Sequence, residues 1–290
     1  MSSSVSRKIE KAMSPLVRHA KLANAVTLEY AEQGDPAGVP IIFLHGVTDS
    51  WRSFERLFEH LPGSFRAIAL SQRGHGGSDR PDRGYRCKDF AADVAAFMDA
   101  LGIERAVIVG HSMGTQGAQR FAIDHPERTR ALVLIGGFAT MRGHAAIEEF
   151  WASDVSRLAD PVDPALALDF QQSTLAQPIP PSFLDLAVGE SLKVPARVWR
   201  AAFAGFLHDD MTPELGRIAA PTLIIWGDRD GCCSRAMQNV LVSAIPQRQF
   251  VVYAGAGHAT HWEEPGRVAA DLVTFVNAAA PNPTRSRVPA

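Results

Sequence analysis

The sequence predicts an α/β fold: a mostly parallel central sheet of about eight strands flanked by helices, with a helical cap inserted after the sixth strand. Three observations carry this reading. Short continuous apolar runs of strand length recur along the chain, amphipathic helical stretches separate most of them, and the alternation breaks once, between Gly137 and Ala220. A strand covered by helices on both faces must be apolar on both, so it reads as an unbroken run and not as an alternating one.

The first elements are an expected hairpin, Val17 to Leu22 against Val26 to Glu32 around Ala23-Asn24, which supplies an antiparallel edge. Strand-like runs follow at Pro40 to Leu44, Phe65 to Leu70, Ala106 to Val109 and Ala131 to Ile135. Phe90, Val94, Phe97, Met98 and Leu101 fall on one face of a helix between the fourth and fifth strands. A second helix is expected from Met113 to Asp124, stopped by Pro126, which cannot continue it. From Gly137 to Ala220 no convincing strand occurs; the segment is helical and rich in Pro, Phe and Trp. Strands resume at Thr222 to Trp226 and Gln249 to Tyr253, and Val268, Leu272, Phe275 and Val276 mark a last amphipathic helix. The chain thus divides into a core part (residues 1–136), a helical cap (137–220), a second core part (221–279) and a tail (280–290) expected to be disordered, like roughly the first dozen residues. No internal repeat is present.

Composition bounds the function. Lys plus Arg number 29 against 31 Asp plus Glu, a formal net charge of -2, so no global field favours nucleic acid or an anionic membrane; a small, neutral, hydrophobic substrate fits better. The start, Met1-Ser2-Ser3-Ser4-Val5, lacks the apolar region of a signal peptide, and no run approaches the length of a membrane span, so a cytoplasmic location is expected. Three cysteines, Cys87, Cys232 and Cys233, argue against a disulfide framework. The adjacent pair lacks a matching Cys or His pair at zinc spacing and is read as ordinary loop or buried thiols, with no metal expected. Oligomeric state is not legible.

The chemistry centres on Gly110-His111-Ser112-Met113-Gly114, placed between the run Ala106 to Val109 and a helix. In such a turn the strand reverses sharply into a helix and the serine is held in a strained conformation with its hydroxyl exposed. A Cβ at Gly110 or Gly114 would meet neighbouring backbone. A serine hydroxyl needs a base, and the base needs an acid to orient it. His258, on the glycine-rich loop Ala254-Gly255-Ala256-Gly257 past the last strand, is the candidate base, with His261 its nearby competitor. The strand Thr222 to Trp226 delivers Gly227-Asp228-Arg229-Asp230 to the same sheet edge; Asp230 is the candidate acid, with Asp228 the alternative, better suited to bonding its local turn. The strand ending at Ile135 offers only Gly136-Gly137-Phe138 and no carboxylate. The developing oxyanion needs two backbone N–H donors, from Met113 and, on the loop His45-Gly46-Val47-Thr48, from Val47.

These residues, with Arg73-Gly74-His75-Gly76-Gly77-Ser78 after the fourth strand, resemble the α/β-hydrolase fold superfamily in its cap-bearing branch of esterases, lactonases, carbon-carbon bond hydrolases and epoxide hydrolases. The resemblance spans nearly the whole chain and keeps the superfamily's order of Ser, then Asp, then His. It implies Ser112 as nucleophile, Asp230 as acid, His258 as base and Val47 with Met113 as oxyanion donors, no cofactor, and a structural role for Arg73 and His75. Serine at the elbow departs from the aspartate of haloalkane dehalogenases and epoxide hydrolases. The acid loop departs too, running into Gly231-Cys232-Cys233 where relatives commonly carry a bulkier apolar residue and then proline.

The expected activity is cleavage of a carboxylic ester or lactone through an acyl-enzyme. A carbon-carbon bond hydrolase, a cofactor-free perhydrolase, and a ligand receptor of little turnover are the competing readings. Of the cap aromatics Phe150, Trp151, Phe170, Phe183, Trp199, Phe203 and Phe206, most should form the insertion's own core. Trp151, Phe170, Trp199 and Phe203 are the candidates for contact with substrate.

Overall fold

The computed structural model describes residues 15–279; the expected tail at 280–290 and the expected N-terminal one both lie outside the described residues. Eight strands form one sheet: β1 (Leu16–Lys21), β2 (Thr27–Gly34), β3 (Val39–Leu44), β4 (Phe65–Leu70), β5 (Ala106–His111), β6 (Thr129–Ile135), β7 (Thr222–Gly227) and β8 (Arg248–Tyr253). Their spatial order is β1-β2-β4-β3-β5-β6-β7-β8. The β1–β2 and β2–β4 pairs are antiparallel, and every pair from β4 to β8 is parallel. The hairpin is therefore the antiparallel edge.

Burial on both faces explains the unbroken apolar runs. Ile42, Leu44, Ile108, Leu132 and Leu134 enter one core, with Phe97, Phe121 and Leu241 from the helices α2 (Cys87–Ala100), α3 (Met113–Asp124) and α8 (Arg235–Ala244). Their strand neighbours Ile41, Phe43, Val107, Val109, Val133 and Ile135 enter the other. There they meet Leu57 of the short α1 (Glu55–Phe58) and Leu272 and Phe275 of α10 (Pro265–Ala279). Successive side chains of a strand point to opposite faces, so both must be apolar.

Between β6 and β7 the described residues are helical: α4 (Ala145–Ser153), α5 (Pro164–Ser173), α6 (Pro181–Leu192) and α7 (Ala196–His208). Asp163 caps α5 through the Ala165 N–H, with Pro164 at the first helical position, where its missing N–H is no loss. This segment carries its own core of Val155, Val194, Trp199, Ala202 and Phe203, continuous with Phe138 and Met141. β3 leads to β4 on one side and pairs with β5 on the other, so the crevice past the ends of β3 and β5 is where open parallel sheets bind ligands. None of the described helices is long and apolar enough to cross a membrane.

Candidate active site

Ser112 stands between β5 and α3 with φ +51° and ψ -122°, a left-handed backbone that a non-glycine residue adopts only under constraint. The constraint is visible on both sides. The Ser112 N–H donates to Ile135 O (3.1 Å) and its carbonyl accepts from the Thr115 N–H (2.8 Å) and hydroxyl (2.6 Å). A Cβ on Gly114 would sit 2.2 Å from Leu44 O, and one on Gly110 would sit 2.6 Å from Gly114 O. Glycine is required because α3 is pressed against the end of β3.

Asp230 follows β7 and His258 follows β8, and the structure brings them together: His258 Nδ1 lies 2.9 Å from Asp230 Oδ2. A carboxylate oxygen can only accept, so the proton sits on Nδ1 and the Nε2 lone pair is free to act as a base. The other Asp230 oxygen accepts the backbone N–H groups of Cys232 and Cys233, each at 2.8 Å. A proline in place of Cys233 would remove one of those donors. Burial alone would lower the His258 pKa; the adjoining Asp230 carboxylate outweighs it and holds the imidazole above its ordinary value. Asp228, the alternative acid, accepts instead from the Gly255 N–H at 2.7 Å and so braces the turn before His258. His261, the alternative base, is buried with Nε2 3.1 Å from Ser53 Oγ, and burial followed by the charge of His258 pushes it down to about 3.

Ser112 and His258 line one cavity of about 510 Å³. Among the described residues no hydrogen bond joins the Ser112 hydroxyl to His258, a looseness common in sites without substrate. The loop after β3 brings Gly46 and Val47 to the same cavity. His45 fastens that loop, its Nε2 accepting from the Gln72 N–H (2.9 Å) and its Nδ1 donating to Gly46 O (2.6 Å). Thr48 is also left-handed, at φ +69°, a second strained residue beside the Val47 N–H. The Met113 N–H belongs to the first turn of α3, whose leading donors have no partner within the helix. Two such donors near a reacting carbonyl can hold a developing negative charge.

Sequence reasoning missed Asp49, two residues beyond Val47. The residue is only 4% exposed; its carboxyl lines the cavity, accepts from Gln171 Nε2 (2.9 Å) and Ser53 Oγ (3.3 Å), and forms no ion pair with a lysine or arginine among the described residues. Burial raises it to about 7 against the opposing effect of the Gln171 hydrogen bond. His111 Nδ1 lies 4.0 Å from Asp49 Oδ2, but burial holds that imidazole well below its ordinary value, hence neutral, and neither ring nitrogen has a hydrogen-bond partner. Gln171, on α5, also reaches Ser191 Oγ (2.8 Å) and Thr48 Oγ1 (3.3 Å). Three residues on, the Thr174 carbonyl accepts the His258 N–H at 2.9 Å. No motif marks Asp49; the signal available was an acid directly after the oxyanion loop.

The cap aromatics separate. Phe170 and Phe203 line the cavity, joined by Phe138, Met141, Ile147 and Phe206. Trp199 is corrected: it is fully buried and stacks on Phe203 (6.2 Å between centroids, 1° between planes), so it forms the wall behind the lining. Trp151 is corrected as well; it packs against the same core without lining the cavity. Trp262, from the short α9 (Thr260–Glu263), does line it.

Cys232 also lines the cavity, and Asp230, Cys233 and His258 place three atoms of metal-ligand type within 4.8 Å of one another. Burial and the Asp230 charge drive the Cys233 thiol well above its ordinary value, which disfavours the thiolate a metal requires. Its Sγ–H points to Gly136 O at 3.5 Å. The cluster suits a supporting role for the acid loop.

Known proteins resemble this chain in sequence and in fold. A sequence model described as alpha/beta hydrolase fold matches residues 39–265. A 2-(acetamidomethylene)succinate hydrolase of Mesorhizobium japonicum is 27% identical over 87% of this chain and 92% of its own. A 2-hydroxy-6-oxononadienedioate/2-hydroxy-6-oxononatrienedioate hydrolase of Paraburkholderia xenovorans is 29% identical over 95% and 99%. An esterase structure from Exiguobacterium antarcticum superposes with a TM-score of 0.82 over 90% of this chain and 100% of its own; at 21% identity it speaks to the fold alone.

Proposed function

The chain belongs to the alpha/beta hydrolase fold family, and from that premise we propose that it is a cofactor-independent serine hydrolase that cleaves a carboxylic ester or lactone through an acyl-enzyme. One observation carries the reading: the imidazole held on Asp230 at 2.9 Å and the strained Ser112 line one largely apolar cavity. In this reading Ser112 Oγ attacks the carbonyl carbon while His258 Nε2 takes its proton. The negative charge that develops on the carbonyl oxygen is met by the N–H groups of Val47 and Met113. His258 returns the proton to the departing alcohol oxygen, and a water, deprotonated by the same nitrogen, releases the acid and restores the serine. Asp230 fixes the tautomer throughout and stabilises the imidazolium. Phe138, Met141, Phe170, Phe203 and Phe206 line the space for an apolar substrate and lower the local dielectric, which strengthens both interactions.

The test is hydrolysis of p-nitrophenyl esters by Ser112→Ala alongside labelling with a fluorophosphonate probe. The expected result is loss of turnover by about 1000-fold or more with the fold retained, and a label on Ser112 alone. A variant as active as the parent, or a label on another residue, overturns the proposal.

A further inference from the structure

Among the described residues, the reaction leaves the one buried carboxyl group that lines the cavity, Asp49, unused. Asp49 sits on the loop that carries Val47, at the polar end of an otherwise apolar space, and no side chain at Gly46 screens it: a Cβ there would lie 3.2 Å from Asp49 Oδ2. A carboxylate has about four acceptor sites, and Asp49 fills two, one of them at a long 3.3 Å. The nearest ring, His111, is neutral and 4.0 Å away. No lysine or arginine lines the cavity among the described residues. Asp49 also borders a narrow crevice, too tight to hold a water, that is lined by Glu190, itself paired with Lys193 at 2.6 Å. A buried acid that shares its cavity with no lysine or arginine among the described residues repels a negative group and has acceptor capacity left for a donor.

Resting on the serine hydrolase reading above, we propose that Asp49 is a specificity-determining residue that accepts a hydrogen bond from a donor group of the substrate, a hydroxyl or an ammonium, and excludes a carboxylate from that end of the cavity. The substrate class that follows is an ester or lactone with an apolar body and one hydrogen-bond donor remote from the scissile carbonyl. Gln171 fixes the orientation of the acceptor by holding Asp49 Oδ1 at 2.9 Å, while Oδ2 meets only the long 3.3 Å bond from Ser53 Oγ and keeps an acceptor site for the substrate.

The experiment, run at about pH 8 where the Asp49 carboxyl, raised by burial to about 7, is mostly ionised, compares p-nitrophenyl esters whose acyl chains end in methyl, hydroxyl, ammonium or carboxylate, at several matched chain lengths, with the parent and with Asp49→Asn. In the parent, kcat/KM for the best hydroxyl- or ammonium-terminated ester should exceed that for the carboxylate-terminated ester of equal length by about 10-fold or more. In Asp49→Asn that ratio should fall by about 10-fold, because the amide both loses the charge and offers a donor to the carboxylate. Equal turnover of the two ester types by the parent overturns the proposal without need of any variant. A variant that loses activity uniformly and keeps the ratio within about twofold also overturns it, since Asp49 would then act only on the shape of the loop. Fluorophosphonate labelling separates the two levels: a labelled Ser112 with a flat ratio removes only the role of Asp49, whereas an unlabelled Ser112 removes the hydrolase reading beneath it.

Discussion

Replacing Asp49 by asparagine should stabilise the protein, and by an amount that depends on pH. Burial lifts the Asp49 carboxyl from 3.8 to about 7, so the folded protein keeps a proton that the unfolded chain gives up near pH 4. The folded pKa is raised, so parent stability falls as pH rises from about 4 to about 7 and levels off above. Each pKa unit is worth ~1.36 kcal/mol, which puts the full difference on the order of 4 kcal/mol. Asparagine removes the titration and keeps an oxygen for the Gln171 donor that Asp49 Oδ1 accepts at 2.9 Å. The groups facing Asp49 are His111 from β5, His258 from the loop after β8 and Glu190 from α6; all three remain in both proteins, and His258, whose imidazole the Asp49 charge helps to hold up, is the one whose own titration the substitution lowers. The assay is urea unfolding of both proteins at pH 5 and pH 8. The advantage of Asp49→Asn should grow by about 2–4 kcal/mol between the two. A difference that stays constant with pH would refute the argument, because Asp49 would then carry the same charge folded and unfolded.

Four further outcomes follow from the geometry. Because Asp230 holds the His258 imidazole above its ordinary value and only the neutral ring can take a proton, kcat/KM should decline with falling pH through a midpoint above about 6.5 in a pH-rate profile. Asp230→Asn should lower that midpoint and reduce kcat by about 10⁴-fold while leaving circular dichroism unchanged, since the amide selects the wrong tautomer. Gly114→Ala places a Cβ 2.2 Å from Leu44 O, so soluble protein should be lost or, where it folds, ester turnover should fall with the displaced loop after β3. Trp199→Ala, at a fully buried ring, should cost about 3–5 kcal/mol in denaturant unfolding.

The strands were legible because a parallel sheet covered on both sides writes itself as unbroken apolar runs such as Val107-Ile108-Val109, and the helices because Phe90, Val94 and Phe97 mark one buried face of α2. The His258–Asp230 pairing was legible because both residues stand just past strand ends, where chain position dictates spatial position. Asp49 was not, since what gives it meaning is Gln171, 122 residues away on α5. The cap aromatics illustrate the same limit. Trp199 and Phe203 are four residues apart on one face of α7, yet one lines the cavity and the other lies behind it. Helical periodicity assigns a face, and depth along that face is set by what packs against it.

Helix α5 gives the Gln171 side chain to the loop after β3 and the Thr174 carbonyl to the loop after β8. This end of one helix thus acts as a crossbar between the loop that carries Val47 and the loop that carries His258, and swinging the whole inserted segment outward would unfasten both at once. Helix α4 is tied in more lightly: it has no buried side chain, and it reaches the cavity through Ile147 and through Phe150, which packs on the lining rings of Phe170 and Phe203. The inserted segment is thus fastened unevenly, by hydrogen bonds to two sheet-end loops through the α5 end and by ring packing alone through Phe150 of α4.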